Sequence, residues 1–183
     1  MIGRRRHLAT LRGFTLIESI ATIVVLAVLG SITSLLIVNA VDGYSEAATS
    51  AQLHGEASIA LDRAVRELRK IELDSAATGV APNISSVTPT SIAWEPNSSL
   101  SLSGARLMLV DNGATAAVLL DDVSALSITT YDQSNTALAA SLTADQCDPI
   151  RRIVIDVTLQ RHGVSDTLRS KVFIRSTMSG GGS

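Results

Sequence analysis

The chain has 183 residues, with 15 lysines and arginines against 17 aspartates and glutamates, for a formal net charge of −2 at pH 7. That length holds about one domain beside a membrane segment and excludes a large multidomain protein. Cys147 is the only cysteine, so an intramolecular disulfide is excluded as well.

Residues 1–13 form a basic leader that carries Arg4, Arg5, Arg6, His7 and Arg12 and no acidic residue. Residues 14–41 are apolar and hold a single formal charge, Glu18. A secretory signal places its small-residue cleavage site after an apolar core of about 7 to 15 residues. Here the small residue, Gly13, comes first, so a cut after it removes the leader and leaves the apolar segment at the new N-terminus. As a helix this segment is about 42 Å long, against a hydrocarbon thickness of about 30 Å, and it spans a membrane once. The leader arginines hold the N-terminus on the cytoplasmic side and put everything after Asp42 outside. Ala27, Ser31 and Ser34 make a small-residue stripe that another helix can approach closely, or that is neutral.

No proline precedes Pro82, so nothing forces the helix to stop at the membrane edge. Residues 42–75 read as its amphipathic continuation, ending near Leu73. Leu53, Ala57, Ala60, Leu61, Ala64, Leu68 and Ile71 recur at helical spacing. Asp62 with Arg66 and Arg63 with Glu67 are i,i+4 pairs that support the helix modestly. Residues 76–91 are rich in small residues and proline and read as a loop.

Strands are expected at 91–94, 100–103, 105–110, 115–120 and 123–131. Asp111-Asn112-Gly113 is a hairpin turn between the third and fourth of these, while 133–148 is polar and irregular. In the final hairpin Ile153, Ile155, Val157 and Leu159 share one face. His162-Gly163 makes the turn, and Leu168, Val172 and Ile174 face inward on the returning strand. Residues 179–183 read as a disordered tail. The expected fold class is therefore α+β: a long N-terminal helix followed by an antiparallel β head over 76–178.

The basic leader, Gly13, the aromatic Phe14, the intramembrane Glu18 and the apolar length together resemble the class III leader of type IV pilins and type II secretion pseudopilins. Residues 119–123 with Leu126 and Tyr131-Asp132, then Pro149-Ile150-Arg151 and an alternating strand, look like the J-type minor pseudopilins and the related W-type minor pilins. The resemblance implies cleavage by a prepilin peptidase between Gly13 and Phe14, N-methylation of Phe14, and a role for Glu18 in assembly. It also implies, as partners, other pilin or pseudopilin subunits and an inner-membrane assembly platform. The chain departs from major pilins in lacking their C-terminal cysteine pair, and it lacks the helix-kinking proline of many pilins.

Charge is polarised along the chain. Removing the four leader arginines leaves 11 basic side chains against 17 acidic ones. Residues 42–149 hold 5 basic and 14 acidic residues, and residues 150–175 hold 6 and 2. On the last hairpin, Arg152, Arg169, Lys171 and Arg175 point away from the apolar face as a basic strip. It reads as a solvated face, a docking face for an acidic neighbour, or a contact strip for DNA in a competence pilin. Without aromatic residues interleaved among the cations, nucleic acid is not the expected partner.

His7, His54 and His162 stand apart without metal-ligand spacing. No nucleophile elbow, phosphate loop or dinucleotide fingerprint occurs, and Asp111, Asp121 and Asp122 lack the spacing of a calcium loop. The expectation is a structural protein with no catalytic residue, no cofactor and no metal. The alternative from another class is a single-pass surface sensor or adhesin whose leader stays uncut.

Overall fold

The computed structural model describes residues 15–77 and 79–178. Gly13 and Phe14 lie outside the described residues, as does the tail at 179–183. The fold is α+β: helix α1 (Leu16–Leu68) is followed, among the described residues, by nine antiparallel strands. The chain divides into two units, Met1–Ser45 and Glu46–Ser183.

In the first unit the helix starts at Thr15, whose Oγ1 and carbonyl both accept from the Glu18 amide, at 3.3 and 3.1 Å. Its apolar side chains are exposed, among them Ile17, Leu26 and Leu35. The helix has a window with a mean hydropathy of 2.6, none of which is buried within the protein. It is long and apolar enough to cross a membrane. Hydroxyl groups on this stretch bond back into the helix: Thr22 to the Glu18 carbonyl at 2.7 Å, Ser31 to Ala27 at 2.9 Å, and Thr33 to Leu29 at 2.8 Å. Such back-bonding satisfies polar groups where no water is available.

In the second unit Leu53, Ala57, Ala60, Leu61, Ala64, Val65 and Leu68 of α1 are buried, matching the helical spacing read above with Val65 added. The helix stops at Leu68, short of the expected Leu73. Lys70 and Ile71 donate to Glu67 and Leu68, a tightening to i→i+3 bonds. The chain then turns extended, with Asn83 donating to Glu72 and Asp74 to Ala81, each at 2.9 Å. Tertiary pairing with 81–83 overrides the helical pattern, yet Ile71 stays buried at the end of the stripe. Glu67 is taken by Lys70 at 2.6 Å rather than by Arg63.

The strands are β1 (Ile84–Thr88), β2 (Ser91–Trp94), β3 (Ser98–Ser103), β4 (Arg106–Val110), β5 (Ala117–Leu120), β6 (Val123–Tyr131), β7 (Leu142–Thr143), β8 (Arg152–Arg161) and β9 (Val164–Phe173). They form two sheets where one was expected: six strands in the order β5-β4-β3-β2-β1-β7, and three in the order β6-β8-β9. The break falls at Asp122, whose φ of 59° turns the chain out of the first sheet. From there β6 pairs with β8, not with β5. Strand β1 lies where a loop was expected, because a register irregularity between Ile84 and Ser86 interrupts its alternation. Within the stretch read as irregular, β7 pairs with β1 and leads into a 3-10 turn over Ala144–Cys147.

The turn Asp111-Asn112-Gly113 joins β4 to β5 as expected, with Asn112 and Gly113 at φ of 48° and 72°. The buried Ser98 hydroxyl holds it by accepting from the Asn112 amide at 2.9 Å. At the last hairpin, His162 and Gly163 take φ of 52° and 82°, which fixes the pairing of Arg161 with Val164. Ile153, Ile155, Val157 and Leu159 are completely buried in one core with α1.

Candidate functional site

The features that carry chemistry fall in two places, the apolar helix and the three-stranded sheet with the segments around it. Glu18 occupies the first turn of α1, and among the described residues its carboxylate has no partner. A carboxylate within an apolar span is costly and marks function by default. Nothing described bears on cleavage at Gly13 or methylation of Phe14.

Arg161, at the end of β8, makes two ion pairs. It donates to Asp122 Oδ2 at 2.7 Å and to Glu56 Oε2 at 2.9 Å, so helix, β5–β6 turn and β8 share one guanidinium. The arginine hydrogen bond, joined by one from Gln52, holds the Glu56 carboxyl below the usual carboxylate range. Because the folded pKa is depressed, the stabilisation is full above the unfolded value near 4.5 and fades as pH falls through the folded one. Glu56→Gln should therefore lower the thermal midpoint at pH 7, and its gap from the parent protein should narrow as pH falls below 4.5. A gap that stays constant with pH contradicts this pairing.

The expected basic strip is differentiated by its neighbours. Arg169 is held by Asp156, across the ladder, at 2.5 and 3.0 Å. The Arg152 guanidinium lies 4.1 Å from the centroid of the Tyr131 ring and 6.0 Å from that of Phe173. Its Nε is buried without a hydrogen-bond partner, and the aromatic faces supply part of what a partner would give. This corrects the expectation of a strip free of aromatics, since Tyr131, Arg152 and Phe173 are direct cross-strand partners. Lys171 and Arg175 are exposed and, among the described residues, unpaired.

His54 is not isolated: its Nδ1 lies 3.0 Å from Asp166 Oδ2 on β9, with the imidazole side chain 65% exposed. The pair clamps helix to strand and lies outside the shallow cleft of about 400 Å³ formed by Ser103, Gly104, Ala105, Arg106, Asp121 and Asp122. In that cleft Asp121 is engaged by Arg106 at 2.9 Å and Asp122 by Arg161. Among the described residues no group of three histidine, cysteine, aspartate or glutamate side chains is gathered. Cys147 is fully buried, and burial pushes its thiol up to about 11, where it is a core hydrophobe and not a nucleophile.

The class defined by these features is an α+β protein whose apolar N-terminal helix continues into the core of a two-sheet head. Compared with models of known families and with curated proteins, the chain matches none.

Proposed function

We propose that the chain is a structural minor pseudopilin or minor pilin, a membrane-anchored subunit that assembles into a type II secretion pseudopilus or a type IV pilus through its N-terminal helix. The observation that carries this reading is one continuous helix with an unburied apolar half, a lone acid in its first turn, and a second half that forms the core of an α+β head. On this reading the leader arginines stay cytoplasmic, the helix anchors the chain in the inner membrane, and the head lies outside it. A prepilin peptidase cuts between Gly13 and Phe14 and methylates Phe14. Other pilin-like subunits and an inner-membrane assembly platform take the helix up. Neither a catalytic residue nor a cofactor has a part in it.

Intact mass of the protein extracted from membranes of a host with an active prepilin peptidase tests this. The expected species begins at Phe14, carries one added methyl group and has lost all four leader arginines. Recovery of the full-length chain overturns the reading in favour of an uncut anchor bearing a sensor or adhesin head.

A further inference from the structure

Sheet edges expose amide and carbonyl groups that invite another strand. In this head most of them are short or occupied. Strand β5 has four residues and β7 two. The free side of β6 is bonded along its length, with Val123 donating to Ala105, Ile128 to Pro89, and Leu138 to Thr130. Strand β9 differs, being a ten-residue strand paired on one side only.

The register shows which groups point out. The Ile174 amide donates to the Arg151 carbonyl, and on the other side of β8 the Gln160 amide donates to Asp122. Odd-numbered residues of β8 thus bond to even-numbered residues of β9. By alternation, the backbone groups of Ser165, Thr167, Arg169, Lys171 and Phe173 point away from the sheet. No described residue meets them.

The side chains along this edge select an occupant. Lys171 is unpaired among the described residues, Arg169 two residues before it is exposed though held on one side by Asp156, Arg175 lies just past the strand, and Phe173 is 51% exposed at its end. A second copy of β9 added antiparallel would bring Arg169 against its own counterpart in the register that overlaps the outward residues most, and against Lys171 in the next, and like charges there repel. An acidic strand meets the same residues with opposite charge. Its alternate side chains would extend the apolar face at Leu168 and Val172, which are half-buried and buried.

We propose that the free edge of β9 is a docking site for an extended acidic segment of another protein, which adds as a fourth strand to the β6-β8-β9 sheet. The favoured segment alternates acidic residues facing Arg169 and Lys171 with apolar residues facing the helix side. Cations on the edge then serve two ends, deterring self-pairing and choosing the partner. This inference stands whether or not the chain enters a fibre.

The test uses the full chain in detergent micelles and the peptide acetyl-(Glu-Val)4-amide, with acetyl-(Lys-Val)4-amide as its counterpart. Hydrogen exchange resolved by residue should show the amides of Thr167, Arg169 and Lys171 slowing when the acidic peptide is added, while those of Leu168 and Ser170, already bonded to β8, are unchanged. Lys171→Glu should weaken the acidic peptide about fivefold, as expected for one reversed cross-strand charge. Thr167→Pro removes an outward amide and should abolish binding; should that variant misfold, the charge reversal still decides. The proposal is overturned if the odd-numbered amides show no protection at ~1 mM acidic peptide, a weak limit for specific binding. Equal binding of the basic peptide, or concentration-dependent protection without any peptide, overturns it too, the latter in favour of a second copy.

Discussion

Ile155→Ala should lower the unfolding free energy of a fragment beginning at Asp42 by about 2–5 kcal/mol, the range for truncating a buried isoleucine to alanine. Ile155 is completely buried at the centre of β8, paired with Ile128 on one side and Ser170 on the other, in the core that holds Leu53 and Leu68 of α1. Removing its side chain leaves a cavity that two sheet neighbours and a helix must collapse to fill, and all three are tied in place. The ties are the Arg161 bonds to Glu56 and Asp122 and the His54–Asp166 contact. Ile59 sits on the opposite face of the same helix and is 73% exposed, so Ile59→Ala should stay within about 0.5 kcal/mol of the parent. Urea titration followed by circular dichroism compares the two. Equal losses would mean that the sheet does not pack on the helix, and a fragment without a cooperative transition would contradict the second unit as an independent fold.

The contrast between Ile155 and Ile59 was legible in the sequence, because periods of 2 and 3.6 separate faces without any knowledge of tertiary contacts. The final hairpin was the clearest case. Once His162-Gly163 is taken as a two-residue turn, Arg161 must face Val164, and counting outward places Arg152 opposite Phe173. The placing of Phe173 beside Arg152 thus follows from the turn alone. Other features had no local signal. The division into two sheets depends on the chain's turn at Asp122 and on β6 pairing with β8, strands separated by twenty residues. The early end of α1 depends on residues 81–83 competing for the backbone of 72–74. Glu56, Asp122 and Arg161 come from three distant segments, and nothing about any one of them announces the other two.

Glu18→Ala should leave cleavage after Gly13 and membrane insertion intact while reducing incorporation into a filament. The substitution removes the only formal charge of residues 14–41, so insertion becomes easier if it changes at all. The helix start is unaffected, since Thr15 bonds the backbone amide of residue 18 and not its carboxylate. What is lost is an acid that has no partner among the described residues. On the resemblance drawn above, its partner is the terminal amine of a neighbouring subunit, exposed at Phe14 once the leader is gone. At about 4 Å and an effective dielectric of 20, such a pair gains about 4 kcal/mol before desolvation is subtracted. If even about 1.4 kcal/mol of that survives, subunits cross-linked to their neighbours fall about tenfold. Glu18→Gln separates charge from size: it keeps a polar side chain of the same length and should lose cross-linking almost as fully as alanine. Cross-linking that persists in both variants, with cleavage normal, would remove Glu18 from assembly. Loss of cleavage together with cross-linking would instead place the residue in recognition by the peptidase.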